Sequence, residues 1–195
     1  SSKIIDVQNT FGKIFNEGTA FQRDGSQFDQ LFKDGDSIHI GQLRCDVMHT
    51  PGHTPACLTY VINGSAFVGD TLFMPDFGTA RCDFPGGSAE DLYQSIQKIL
   101  ALPDDTRLFV GHDYKAPGRD EFAWETTVGE QKKLNVHIGA GRPMDDFVAM
   151  RTERDANLGM PRLILPSIQT NMRAGQMPEP EDNGKSYFKV PINTI

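Results

Sequence analysis

Three features of this 195-residue sequence predict an α/β fold with a mixed sheet. Short apolar runs crowd the first half, an Asn63-Gly64 pair joins two of them as a hairpin, and helical patterns are interspersed among the later segments. The elements follow in order. Asp24-Gly25 and Asp34-Gly35-Asp36 punctuate an opening segment in which Phe28, Leu31 and Phe32 supply apolar contacts. Alternation over residues 37–40 predicts a strand that Gly41 turns. Leu43, Cys45 and Val47 then alternate with Arg44, Asp46 and Met48, so a second strand has one buried face and delivers residues 49–53 at its end. Residues 57–62 and 65–68 are predicted strands on either side of the Asn63-Gly64 turn.

Ser88 reads as the N-cap of a helix with Glu90 and Asp91 in its first turn, and Leu92, Ile96, Ile99 and Leu100 form its apolar face before Pro103. A strand over 107–110 follows. Helices are predicted over 124–136 and 144–157, and Pro143 and Asp145 mark the start of the second. Trp124 beside Phe122 reads as helix packing, residues 177–184 as a surface loop, and residues 187–190 as a short terminal strand. Cys45 and Cys57, at alternating strand positions, are assigned to the core.

Composition narrows the functional classes. A net charge of −7 and a pI near 5.2 speak against nucleic acid as a partner, because phosphate binding calls for a basic stripe. No window approaches 18 uninterrupted apolar residues, and the opening Ser1-Ser2-Lys3-Ile4-Ile5-Asp6 has no secretory pattern, so no membrane partner is expected. Three cysteines, Cys45, Cys57 and Cys82, form an odd set without C-x-x-C spacing, which points to a reducing compartment and a cytoplasmic location.

The chemistry sits at strand ends. His53 follows the second strand on a Pro/Gly loop, Asp70 closes the run Ser65-Ala66-Phe67-Val68-Gly69, and His112 closes Arg107-Leu108-Phe109-Val110-Gly111. Imidazole and carboxylate donors suit borderline cations such as zinc or ferrous iron, and loops at strand ends let distant segments converge. Taken singly, each is equally a turn cap or a surface residue. Taken together, they form a candidate metal set.

Thr50-Pro51-Gly52-His53-Thr54, Gly69-Asp70-Thr71-Leu72-Phe73 and Gly111-His112-Asp113-Tyr114 resemble, in order and spacing, the later metal-site motifs of the metallo-β-lactamase superfamily. Residues 78–87 and 166–175 resemble its persulfide dioxygenase branch. The resemblance implies an αββα sandwich, of which residues 1–195 would form one partial domain: the second half plus the last strands of the first, with residues 1–23 a remnant of an N-terminal half. The superfamily's His-x-His-x-Asp-His cluster is not among these residues. An N-terminally truncated sheet exposes an edge and an apolar face, so a homodimer or another covering segment is expected.

In function, the resemblance implies one ferrous iron held by two histidines and a carboxylate, with His53 and Asp70 as two ligands, and oxidation of glutathione persulfide by dioxygen to sulfite and glutathione. His112 is expected near the metal or on a second metal. Arg81 and Tyr114 are candidate contacts for a glutathione-type thiol or persulfide, with a structural pair to Asp83 as the alternative for Arg81. Asp113 and Cys82 are expected beside the site, Cys82 either as a thiol activated by Arg81 or as a buried small residue. Two alternatives stand: a glyoxalase II-like thioester hydrolase with two zinc or mixed ions, and a non-catalytic remnant without metal that oligomerises or binds. Whether the chain is an enzyme is thus left open. His39, His49 and His137 are read as structural.

Overall fold

The computed structural model describes residues 1–192. In chain order its elements are α1 (Ile4–Ile14), β1 (Ser37–Ile40), β2 (Leu43–His49), β3 (Leu58–Ile62), β4 (Ser65–Gly69), α2 (Ala89–Leu100), β5 (Arg107–Val110), β6 (Glu125–Thr127), α3 (Val128–Leu134), a 3-10 turn at Gly139–Gly141, α4 (Met144–Ala156) and α5 (Ile164–Asn171). They fall into two compact units. One comprises Ser1 and Phe32–Asn157; the other comprises Ser2–Leu31 and residues 158–192.

The larger unit is built on a six-stranded mixed sheet in the sequential order β1 to β6. Every neighbouring pair is antiparallel except β4 and β5, which run parallel. The β3–β4 hairpin turns at Asn63 and Gly64 with φ of 47° and 71°, the doubly positive geometry that an Asn-Gly pair favours. The parallel step is made through α2. Ser88 caps that helix by accepting the Asp91 N–H at 3.1 Å, and its Leu92, Ile96 and Ile99 are fully buried against Ala66 and Val68 of β4 and Leu108 of β5. Each such side chain contributes roughly 1.5–3 kcal/mol by leaving water, so this face ties β4 to β5.

Four sequence expectations are not met. The helix expected over 124–136 begins only at Val128, because Glu125–Thr127 pairs with β5 as a short strand. Thr127 and Glu130 then form a reciprocal capping box, a start signal lying inside the expected helix. Trp124 accordingly is no helix-packing residue: it is exposed, and its carbonyl accepts the Val110 N–H. Cys57 precedes β3 and is only half-buried, with Sγ 3.1 Å from Thr54 Oγ1, whereas Cys45 is in the core as expected. Residues 187–190 form no strand, since the Lys189 backbone exchanges hydrogen bonds with the side-chain amide of Gln169.

In the smaller unit, α1 is a helix that the sequence reading did not assign. Phe11 and Phe15 stack with ring centroids 6.1 Å apart and bury Met172 with them. Buried Gln8 bridges the Met172 carbonyl and the Gly25 N–H.

Candidate metal centre

Parallel strands deliver their carboxyl ends to the same edge of a sheet, where ligand sites of α/β folds form. Asp70 follows β4 and His112 follows β5, two residues beyond Val110. Gly111 N–H donates to the Gly69 carbonyl at 3.0 Å, and a Cβ on Gly111 would lie 3.1 Å from Asp70 Oδ1, so its bare backbone allows the two ends to close up. Asp70 Oδ1 then accepts the His112 Nδ1–H at 2.5 Å.

His53 arrives from the β2 end. Its loop is pressed onto the start of α2: the Gly52 carbonyl accepts the Ser88 N–H at 3.0 Å, and the Pro51 carbonyl accepts the Ser95 hydroxyl at 2.6 Å. Gly52 has φ +136°, and a Cβ there would sit 2.3 Å from Leu92 Cα. No other residue fits. His53 Nδ1 lies 2.7 Å from the Arg81 carbonyl. A carbonyl only accepts, so Nδ1 carries a proton, and in the neutral imidazole Nε2 then keeps its lone pair. That lone-pair nitrogen lies 3.8 Å from Asp70 Oδ2.

The donor chemistry fits a metal. Ligand atoms about 2.0–2.2 Å from one ion can be as far as about 4.4 Å apart, so a single cation can span His53 Nε2 and Asp70 Oδ2. The Arg81 carbonyl behind His53 is the kind of outer partner that orients a ligating imidazole. The 2.5 Å contact between Asp70 and His112 is a direct hydrogen bond, too close for one ion to bridge at ordinary ligand angles. Among the described residues no three His, Cys, Asp or Glu side chains form a complete metal-binding group.

Around this pair the other candidates separate. Tyr114 is more than half exposed and stacks on His112 with centroids 5.9 Å apart, its ring held by Phe73 and Phe77. The Arg81 guanidinium is engaged in a fork with Asp83, at 2.7 and 2.6 Å, and lies over Phe84, so the structural alternative describes its side chain and its carbonyl is what touches His53. Asp113 is half-buried with its carboxylate turned inward, and it is paired with Arg119, whose guanidinium holds that carboxyl well below the usual carboxylate range. Cys82 is not an activated thiol. It is buried beside Asp155, and burial with that carboxylate pushes its pKa up to about 12.

Beneath residues 78–83 lies support that the sequence reading missed. Arg151 and Asp155, one turn apart on α4, are both buried and paired at 2.5 Å. Arg151 donates to the Thr79 carbonyl and Asp155 accepts the Cys82 N–H, so both flanks of Arg81 are tied to one helix. Gly78 fits flush against His137, whose Nδ1 accepts the Thr79 N–H at 2.9 Å. Burial, aided by the positive charge of Arg151, depresses the His137 pKa to about 4. An i, i+4 Arg–Asp pair on an otherwise polar helix was the available signal, but it reads equally as a solvated face.

Comparison with known proteins places this geometry in context. The profile described as "Metallo-beta-lactamase superfamily" matches residues 5–112. A probable metallo-hydrolase of Burkholderia pseudomallei is 58% identical over 202 residues, covering 98% of this chain and 68% of the relative. The human mitochondrial persulfide dioxygenase ETHE1 is 36% identical over 154 residues, covering 77% of this chain and 56% of that protein. The crystal structure of ETHE1 from Myxococcus xanthus superposes with a TM-score of 0.65 at 34% identity, over 74% of this chain and 60% of that one. Among curated relatives at least 54% identical, the chain spans 44% to 68% of their length. The expected superfamily and α/β fold are therefore what the chain has, and no helix among the described residues is long and apolar enough to cross a membrane.

Proposed function

The chain belongs to the metallo-β-lactamase superfamily, and from that premise we propose that it supplies two ligands, His53 and Asp70, to a mononuclear ferrous iron centre that oxidises a glutathione-type persulfide. The observation that carries this reading is the division of labour at Asp70. One carboxylate oxygen faces His53 Nε2 and the other accepts the His112 Nδ1–H, so His53 and Asp70 are the pair this chain presents to a shared ion. Similarity to persulfide dioxygenases over 77% of the chain supports the choice of reaction. The third ligand is assigned to the family's His-x-His-x-Asp-His cluster, which lies outside these residues.

When bound, ferrous iron supplies the redox chemistry that lets dioxygen react with the persulfide sulfur, and water completes the balance to sulfite and free thiol. The chain's own residues orient the groups around the iron. The Arg81 carbonyl fixes the tautomer and ring plane of His53, and His112 holds its proton at Nδ1 toward Asp70. Tyr114, exposed beside His112, is assigned as a contact for the thiol-bearing substrate. Arg81 contributes through its carbonyl, and its guanidinium meets a substrate carboxylate only by sharing with Asp83.

A second reading, a dinuclear thioester hydrolase, draws on a relative named as a probable metallo-hydrolase at 58% identity and on one of Dictyostelium discoideum named Glyoxylase B2 at 55%. Metal content with oxygen uptake on glutathione persulfide separates the two, measured on a polypeptide that carries this chain together with the leading cluster. One iron per chain and uptake of oxygen with sulfite release is the expected result. His53→Ala should abolish iron loading, whereas His112→Ala should leave most of the iron. Two metals per chain, lost equally in both variants, with thioester cleavage, would establish the hydrolase; neither metal nor turnover would leave a binding role.

A further inference from the structure

Arg119 lies in the loop after His112 and is absorbed by none of the roles above. All five of its N–H donors are engaged. Nε and Nη2 donate to the two oxygens of Asp76 at 2.7 and 3.1 Å, Nη1 and Nη2 donate to the two oxygens of Asp113 at 2.6 and 2.7 Å, and Nη1 also donates to the Glu121 carbonyl at 2.8 Å. A guanidinium has five donors in a fixed planar fork, so this side chain is saturated and cannot rotate without losing contacts.

Its two carboxylate partners belong to the two loops that carry Asp70 and His112. Asp113 directly follows His112, and Asp76 lies six residues past Asp70 in the turn where Phe77 and Gly78 N–H groups return to the Met74 carbonyl. Asp113 is further fixed by accepting the Ala123 N–H at 2.9 Å. One cation thus cross-links the segment after β4 to the segment after β5, beyond the point where the strands themselves are paired.

We infer that Arg119 is a positioning residue for the metal centre, locking the His112 loop against the Asp70 loop so that the imidazole and carboxylate stay in register. The sheet alone cannot do this. The last β4–β5 partners are Gly69 and Val110, one further backbone bond joins Gly111 N–H to the Gly69 carbonyl, and among the described residues no backbone hydrogen bond joins the two loops past that point, where Arg119 bridges them. The inference depends on the proposed function only for its consequence at the metal; the positioning itself is a property of the metal-free chain.

The test uses that metal-free chain. The His112 Nδ1–H held by Asp70 should give a downfield imidazole proton resonance, assigned by its loss in His112→Gln. Arg119→Met should abolish or broaden that resonance while the rest of the spectrum stays dispersed. Asp76→Asn, which weakens the link to the Asp70 loop but leaves Arg119 paired with Asp113, should shift it, and it decides the matter if Arg119→Met fails to fold. An unchanged resonance in Asp76→Asn, or in a folded Arg119→Met, overturns the inference.

A second readout is zinc affinity by competition with a chromophoric chelator, on the polypeptide that also carries the leading cluster. Loss of a ligand's direct outer partner costs about 10- to 100-fold in metal affinity; Arg119 acts one step further out, through Asp76 on the Asp70 loop, so a smaller but measurable loss is expected for Arg119→Met. A merely structural role would lower the melting temperature and leave affinity unchanged, which counts against the inference. If the resonance responds but the unmodified protein binds no metal, Arg119 keeps its positioning role and the proposed metal function is what fails.

Discussion

Gly52→Ala should separate the local geometry that builds the site from ordinary backbone preference. At φ +136° an alanine is strained by about 1–3 kcal/mol, and its Cβ would stand 2.3 Å from the Cα and 2.4 Å from the amide nitrogen of Leu92. Those atoms belong to the first turn of α2 and cannot swing aside as a flexible side chain would. Relief requires the His53 loop to lift off the helix, which strips the Ser88–Gly52 and Ser95–Pro51 hydrogen bonds. Overpacking of this kind costs about 1–3 kcal/mol, so the combined loss is about 4 kcal/mol, or a drop of about 8–16 °C in melting temperature. Gly41→Ala is the control: φ is +61° and nothing lies within 4 Å of the added carbon, so only the left-handed penalty of about 1–2 kcal/mol applies. Urea denaturation of both variants, with metal uptake measured alongside on the polypeptide that also carries the leading cluster, gives the comparison. Equal destabilisation by the two substitutions, or full metal uptake by Gly52→Ala, would refute the claim that contact with α2 positions His53.

Two further outcomes follow from the buried groups under the 78–83 loop. Arg151→Met leaves the Asp155 carboxylate buried without its cation and should cost about 3–5 kcal/mol by urea denaturation; a loss under about 1 kcal/mol would mean that the pair is not holding the loop. His137 has a folded pKa of about 4 against 6.5 when exposed, so the unfolded chain takes up the extra proton between those values. Stability should therefore be full above pH 6.5 and fall as pH drops toward 4, and His137→Gln should flatten that part of the curve measured by thermal melts.

What could be read from the sequence, and what could not, divides along sequence distance. The hairpin at Asn63-Gly64 and the capped helix at Ser88 are local signals and were legible as such. So was the proximity of each candidate ligand to a strand end. β6 was hidden because Thr126 and Thr127 abut a capping box, and three strand residues vanish inside a helical pattern that continues to Leu134. α1 carried a readable signal in the spacing of Ile4, Phe11 and Phe15, but it fell in a segment read through its resemblance rather than its periodicity. The polar supports were illegible for a stronger reason. The Arg81 carbonyl acts on His53 from 28 positions away, and Arg151 reaches Thr79 across 72. A charged residue on a helix looks the same in sequence whether it faces water or a buried carbonyl.

Direction of the strands decides whether any of this chemistry is available. β5 has four residues, about 13 Å at the usual rise, so an antiparallel β5 would carry His112 off the opposite edge of the sheet from Asp70. A parallel step cannot be made by a tight turn; it needs a crossover long enough to return the chain to the starting edge. α2 supplies that return in 12 residues, and its Leu92, Ile96 and Ile99 are buried against the strands it links. The same helix receives the His53 loop at its first turn. One amphipathic helix therefore sets the direction of β5 and seats the Gly52 loop, which is why three residues from three distant segments can meet at a single edge.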